Sequence, residues 1–301
     1  MVQKVERRLQ IAGVKVTSTR KKTVIEVLES HLVSRRGGLA GVGQAGLVVV
    51  TTPNPEQVVQ AQTDDLFRSI VNESEYAVPD GVGLVVALRL LNRFKVKGER
   101  FKQIERISGI DLAEELVGYC REKGLGVMLL GGRPGVAAAA ATKFQNHKHQ
   151  ISNNIQIQNS NNETSKAGSI DHSSFEIRGI SGARDIVHET EAEREETLRQ
   201  IREFRPALLL VAYGAPWQEK WIAANRGELE KAGVRVVMVV GGAVDVWAGR
   251  VKRAPMVVRK AGLEWLWRLG REPWRWRRQL RLFEFVGLVA RQIFFTGGKK
   301  T

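Results

Sequence analysis

Short apolar runs alternate with helical patterns along most of this chain. Runs rich in valine and leucine, each with the length of a buried strand, occupy residues 47–50, 126–130, 207–212 and 234–240. Each run ends in a turn that contains glycine or proline. Strands that alternate with helices predict a mostly parallel α/β sheet with helices on both faces. Ligands of such sheets bind at the carboxyl ends of the strands, where these turns lie.

Helices are predicted before and between these apolar runs. The predicted helices cover residues 24–32, 56–70, 82–91, 106–123, 136–144 and 217–225. Pro53 and Pro55 end the first strand and suit the start of the helix that follows.

Two segments differ from this pattern. Residues 145–174 are rich in Asn, Gln, Ser and His, so we expect a disordered insert there and no metal site at His147 or His149. Residues 250–301 form a basic segment rich in tryptophan and arginine. The sequence therefore predicts a main domain over residues 1–249 and a helical appendage over residues 250–301.

Charge is concentrated in that appendage. The chain of 301 residues carries a net charge of +15, and residues 250–301 hold 14 Lys and Arg against 3 Asp and Glu, a local balance of +11. Such a segment attracts nucleic acid, anionic lipid or phosphorylated ligands. No known nucleic-acid-binding module is present, so nucleic acid is not an expected partner. The single cysteine excludes an intrachain disulfide framework. The histidines and the cysteine show no metal-ligand spacing, and we expect no metal and no cofactor.

The appendage contains an amphipathic pattern. Its apolar positions fall on one helical face at Leu282, Phe285, Val286, Val289 and Ile293, after a cluster of four tryptophans. Tryptophan and arginine on such a helix favour the headgroup layer of an anionic membrane. Packing onto the protein core, or onto another copy in a homo-oligomer, is the alternative. No apolar stretch approaches the about 18 residues of a spanning helix, and no secretory signal is expected.

Asp80 is the strongest candidate for a catalytic carboxylate. Pro79 and Gly81 sharpen its turn, so the side chain can project into a cleft and accept a proton from an attacking hydroxyl. An N-cap of the following helix is the alternative. The glycine-rich turn of residues 131–135 could present backbone N–H groups to phosphate, but a tight turn without a ligand is the commoner case. No Asp-x-Asp motif is present, so arginines would have to stabilise a diphosphate leaving group.

Seven motifs occur in a fixed order and together resemble the WecG/TagA/CpsF family of bacterial glycosyltransferases. They are Thr52-Pro53-Asn54, Pro79-Asp80-Gly81, the segment 106–111, the segment 214–221, the segment 241–245, Arg253-Ala254-Pro255 and the segment 262–268. The resemblance covers about residues 11–282. One departure is Trp217, where relatives often carry lysine.

The resemblance implies a metal-independent, inverting transferase with a Rossmann-like core. Well-known members move N-acetylmannosamine from UDP to N-acetylglucosamine on undecaprenyl diphosphate, for wall teichoic acid or other cell-surface polysaccharides. The implied partners are a UDP-sugar donor, a polyprenyl-diphosphate-linked acceptor and the anionic cytoplasmic face of the membrane. By motif, Asp80 and Arg106 match catalytic residues. The positions that match substrate-binding residues are Thr52, Asn54, Gln218, Asp245, Arg268, Arg275 and Arg278.

Two other functions remain open at this point. A nucleotide-dependent oxidoreductase could share the fold, although the Gly-x-Gly-x-x-Gly fingerprint is absent. A membrane-bound scaffold that has kept only the fold is the non-catalytic alternative.

Overall fold

The computed structural model describes residues 8–34, 46–95, 104–146, 175–273 and 276–297. The strands are β1 (Arg8–Ile11), β2 (Val14–Thr17), β3 (Val48–Thr51), β4 (Tyr76–Ala77), β5 (Val127–Gly131), β6 (Ile177–Ile180), β7 (Leu208–Ala212) and β8 (Val236–Val239). The helices are α1 (Lys21–Val33), α2 (Pro55–Gln60), α3 (Asp65–Glu73), α4 (Val82–Lys95), α5 (Gly109–Glu122), α6 (Val136–Asn146), α7 (Glu191–Phe204), α8 (Trp217–Lys231), α9 (Ala243–Trp247), α10 (Met256–Lys260), α11 (Glu264–Arg271) and α12 (Trp276–Gly297).

Six strands form one parallel sheet in the order β4-β3-β8-β7-β5-β6, and β1 and β2 form a separate antiparallel hairpin. The predicted parallel α/β sheet is confirmed, and its four predicted strands correspond to β3, β5, β7 and β8. The sequence pattern did not predict β1, β2, β4, β6 or α7. In α7 the buried residues are Thr197, Leu198 and Ile201, too few to stand out in a polar segment.

Alternating side chains along the strands build a core on each face of the sheet. In β7, Leu208 and Leu210 join the cluster that packs against α1, α5 and α6. Leu209 and Val211 point the other way and join the cluster that packs against α7 and α8. Because both faces are covered, these strands read as continuous apolar runs, which is why their pattern was recognisable in the sequence.

The prediction of a single helix over residues 56–70 is wrong. The chain forms α2 and α3 instead, separated by a turn at residues 61–64. Asp64 ends this turn as the N-cap of α3, accepting a hydrogen bond from the Phe67 N–H at 3.0 Å. Lys220 of α8 donates to the same carboxylate at 2.7 Å. A cap at Asp64, supported by a contact distant in sequence, therefore overrides helical continuity.

Most of the apolar face of α12 packs onto the protein. Phe285 and Val289 are buried in a third cluster with the β1–β2 hairpin, α2, α3 and α4, and Leu282 and Ile293 pack against it. Val286 is exposed. Four of the five apolar positions predicted for this helix therefore pack onto the protein core, which was the alternative to membrane contact. The division at residue 250 stays a prediction.

The first two residues of the predicted insert are helical. Gln145 and Asn146 belong to α6, and the Gln145 side chain donates to the Phe175 carbonyl at 3.3 Å. The rest of the segment, with His147 and His149, lies outside the described residues.

Candidate active site

A cavity of about 710 Å³ opens at the carboxyl ends of four neighbouring strands. Turns after β3, β4, β7 and β8 line it, as do residues of α2, α5 and α11. The sequence-predicted residues on its wall are Thr52, Asn54, Asp80, Arg106, Gln218 and Arg268. Residues from most of the length of the chain thus meet in the place where parallel sheets bind ligands.

The Asp80 turn is fixed by backbone contacts. The Asp80 N–H donates to the Pro53 carbonyl at 3.0 Å, and Gly81 has a φ of 97°, which favours glycine. The Asp80 Oδ2 accepts a hydrogen bond from the Gly109 N–H at 3.4 Å. Gly109 is the first residue of α5, so the carboxylate faces the positive end of that helix as well as the cavity.

Desolvation by the surrounding protein raises the pKa of Asp80 above its usual range. The Arg106 charge and the Gly109 N–H oppose this rise in pKa, whereas the negative charge of Glu264 adds to it. One third of the side chain, 33%, is accessible to solvent. A carboxylate that is accessible from a cavity and has a raised pKa is a better proton acceptor than an ordinary surface aspartate.

Arg106 extends towards Asp80 from the segment before α5. Its Nε lies 4.0 Å from Asp80 Oδ1, its Nη2 donates to Glu264 Oε2 at 3.1 Å, and its Nη1 donates to the Arg259 carbonyl at 3.2 Å. Among the described residues, the buried Nε has no hydrogen-bond partner. A small shift of Asp80 would bring its carboxylate within hydrogen-bond distance of this Nε.

Glu264 and Arg253 complete a charged network that the sequence did not predict. Arg253 Nη2 donates to Asp111 Oδ1 at 2.6 Å, and its Nε lies 3.6 Å from Glu264 Oε1. This network joins α5 to α11, which carries Arg268. Both residues belong to motifs that carry the family resemblance, which was the one signal in the sequence that could have pointed to them. Their partners could not be predicted, because they are distant in sequence.

Thr52 and Asn54 lie beside Asp80 on the cavity wall. A Cβ at Gly109 would lie 3.1 Å from the Thr52 Cγ2, so the close approach of α5 to this turn depends on that glycine. The Asn54 side chain accepts from the Gln57 N–H at 3.0 Å and caps α2. Asn54 thus shapes the wall through a capping box.

Gln218 connects two turns on the opposite wall. Its Oε1 accepts from the Gly214 N–H at 3.1 Å and from the Gly241 N–H at 3.2 Å. Its Nε2 donates to the buried Glu219 at 3.2 Å. The Gln218 oxygen is therefore fully engaged with the backbone of the turns after β7 and β8.

Three further cations line the remaining wall. A Cβ at Gly242 would lie 3.0 Å from Arg268 Nη2, so this guanidinium reaches the turn after β8. Lys252 also lines the cavity, as does Arg281, which donates to Gln60 at 3.4 Å. Within the described ranges, neither Arg268 nor Lys252 has a carboxylate partner. The cavity is therefore suited to an anionic ligand.

The sequence matches the glycosyl transferase WecG/TagA/CpsF family over residues 9–299. The chain belongs to this family. It is also similar to the N-acetylglucosaminyldiphosphoundecaprenol N-acetyl-beta-D-mannosaminyltransferase of Bacillus subtilis (strain 168), with 28% identity over 268 residues, 89% of this chain and 85% of the relative. The resemblance and the prediction of a glycosyltransferase are confirmed. Neither the oxidoreductase nor the non-catalytic scaffold is supported.

Of the described residues implied by the resemblance, Asp245 is not brought to the cavity of this WecG/TagA/CpsF glycosyltransferase. The Asp245 carboxylate faces the turn after β5, where Arg133 Nη2 lies 3.1 Å from Oδ1, and it does not line the cavity. Arg133 belongs to the glycine-rich turn of residues 131–135. Arg275 and the Arg278 side chain lie outside the described residues.

In the part of the chain that the structure describes, none of the helices of this glycosyltransferase has both the length and the hydropathy needed to cross a membrane.

Proposed function

We propose that this chain transfers N-acetylmannosamine from UDP to N-acetylglucosamine carried on undecaprenyl diphosphate, for a cell-surface polysaccharide or teichoic acid. The observation that carries the proposal is the Asp80 carboxylate, which lines a cavity rich in cations, 4.0 Å from Arg106. Family membership supports glycosyl transfer, and the name of the Bacillus subtilis relative supports this sugar and this acceptor.

The reaction is a single displacement with inversion. Asp80 accepts the proton of the acceptor hydroxyl, and the oxygen forms a bond to the anomeric carbon of the donor. The bond from that carbon to the diphosphate breaks on the opposite face, and UDP leaves with the electron pair. General-base catalysis of this kind contributes about 10²–10⁴-fold to the rate.

The diphosphate is stabilised by positively charged side chains. Arg106 brings a positive charge beside Asp80, and within the described residues Arg268 and Lys252 bring positive charges that have no carboxylate partner. Arg268 lies against the turn after β8 at Gly242. Positive groups placed where negative charge develops lower the barrier, so we propose a reaction that needs no metal ion.

The lipid acceptor implies work at a membrane surface, and we propose the cytoplasmic face. Helices α11 and α12 expose Trp265, Leu266, Phe283 and Val286, with Phe283 77% and Val286 59% accessible. Arg271, Arg281 and Arg291 lie on the same two helices. Aromatic and aliphatic side chains interspersed with arginine suit the headgroup layer of an anionic bilayer.

The test is UDP release from UDP-N-acetylmannosamine with a prenyl-diphosphate-linked N-acetylglucosamine acceptor. We expect acceptor-dependent release, a disaccharide-lipid of inverted anomeric configuration, and full activity in excess EDTA. UDP-N-acetylglucosamine serves as the matched donor, since it differs only at C2. A higher turnover with that donor would reject the proposed sugar. Loss of activity on chelation, restored by Mg²⁺, would reject the metal-free mechanism.

A further inference from the structure

A buried carboxyl group lies behind the cavity wall. Glu219, near the start of α8, is 1% exposed and does not line the cavity. Its Oε1 accepts hydrogen bonds from two side chains that do line it, from Gln57 Nε2 at 3.4 Å and from Gln218 Nε2 at 3.2 Å. One carboxyl oxygen thus joins the two opposite walls of the cavity.

These contacts fix the orientation of both amides. Since Glu219 Oε1 is an acceptor, each glutamine must turn its NH₂ group towards it and its oxygen away. The Gln57 oxygen then accepts from the Asn54 N–H at 3.1 Å. The Gln218 oxygen accepts from the N–H groups of Gly214 and Gly241. A continuous series of hydrogen bonds therefore runs from the turn after β3 to the turns after β7 and β8.

The surroundings of Glu219 are unusual for a glutamate. Within the described part of the chain, its Oε2 is buried and has no hydrogen-bond partner. Burial raises its pKa to about 7, and no charged side chain contributes to that shift. Burying a carboxyl group without an ion pair costs free energy of folding, which only its hydrogen bonds offset. Among the described residues, its side-chain partners are the two cavity-lining amides and no others.

We propose that Glu219 is a positioning residue for donor binding, which sets the spacing of the two cavity walls through Gln57 and Gln218. It does not touch the substrate. The part of this proposal that concerns the donor rests on the proposed function. Gln218 holds the turn after β8 through the Gly241 N–H, and Arg268 reaches the same turn at Gly242, so a displaced Gln218 would move the wall next to this guanidinium.

The test compares three variants in the full chain. Glu219→Leu keeps the volume of the side chain but removes the acceptor, Glu219→Gln keeps an acceptor oxygen in the same place, and Asn225→Leu is the matched control. Asn225 is also buried on α8, but among the described residues its side chain bonds to the Trp221 carbonyl of the same helix and to no cavity-lining group. We expect Glu219→Leu to raise the donor KM about tenfold, the equivalent of one net hydrogen bond, with little change in kcat. Glu219→Gln should keep the donor KM of the wild type.

Hydrogen exchange tests the brace independently of activity. The amide protons of Gly214 and Gly241 should exchange faster in Glu219→Leu and be unchanged in Asn225→Leu. Unchanged exchange in Glu219→Leu would overturn the brace itself. Faster exchange with an unchanged donor KM, or an equal rise of KM in Asn225→Leu, would overturn its role in donor binding. If the wild-type protein transfers no sugar, the proposed function fails, and the exchange rates still decide whether the brace exists.

Discussion

The Nε of Arg106 lies 4.0 Å from Oδ1 of Asp80, while Nη2 of the same guanidinium lies 3.1 Å from Glu264. The proposed base is therefore influenced by a positive and a negative charge at once. Arg106 lowers the pKa of Asp80 and Glu264 raises it, in addition to the larger rise from desolvation. The balance of these groups sets the pH at which Asp80 can accept a proton.

We expect Asp80→Asn to lose about 10²–10⁴-fold in kcat, because an amide cannot accept the hydroxyl proton. Affinity for UDP, measured by calorimetry, should stay within a few-fold of wild type, since the shape of the turn is kept. Asp65→Asn, at an exposed carboxylate on α3, is the control and should keep full activity. An Asp80→Asn enzyme with half the wild-type rate would remove Asp80 from the mechanism.

The pH profile should move in opposite directions when the two neighbours of Asp80 are neutralised. Asp80 must be ionised to act, so activity is lost as the pH falls through its pKa. Glu264→Gln removes a negative charge, lowers the pKa of Asp80 and should shift the acidic limb of kcat/KM to lower pH. Arg106→Gln should shift that limb to higher pH. Glu284→Gln, on α12, is the control; shifts of the same sign in both variants would contradict this assignment.

Glu219 should make the protein less stable as the pH rises. Its pKa is about 7 when folded and near the ordinary 4.5 when unfolded, so the folded state holds the extra proton between these values. Stability is therefore highest below pH 4.5 for this group and is lost as the pH rises to 7, by on the order of 3 kcal/mol.

Urea unfolding of wild type and Glu219→Gln at pH 5 and pH 8 measures this effect. We expect the free energy of unfolding of Glu219→Gln to exceed that of wild type by a larger margin at pH 8 than at pH 5. Equal differences at the two pH values would show that Glu219 titrates normally in the folded protein.

Membrane binding should depend on the exposed face of α12. The double substitution Phe283→Glu and Val286→Glu places charge on two exposed apolar positions and should abolish flotation with anionic liposomes. The free energy of unfolding should change little, because both positions are exposed. Val187→Glu, at an exposed apolar position before α7, is the control. Retained flotation of the double variant would move the membrane contact elsewhere.

Truncation at residue 250 tests membrane binding by α12 less clearly than the double substitution does. Phe285 and Val289 are buried against the β1–β2 hairpin and α4, so removing α12 would expose the core they cover. A loss of activity after truncation could then reflect unfolding. The point substitutions on the exposed face avoid this ambiguity.

The sequence by itself determined the parallel sheet, its four central strands and the turns at their carboxyl ends. A strand that is buried on both faces needs a continuous apolar run, and a sharp turn needs glycine or proline. Both features depend on a few consecutive residues, so they can be recognised in the sequence. Of the nine site residues that the family resemblance implied, six lie on the cavity wall: Thr52, Asn54, Asp80, Arg106, Gln218 and Arg268.

Tertiary structure alone decided which groups meet. Arg106 bonds Glu264, a residue 158 positions later, and Glu219 bonds Gln57, a residue 162 positions earlier, and no local pattern records such pairs. The same holds for the break between α2 and α3, which Lys220 supports, and for α12, whose apolar face suits a bilayer and a protein core equally well. The sequence shows which face of a helix is apolar and which side chains are charged. The partner depends on how distant elements pack, because burial and Coulombic interactions act across space and not along the chain.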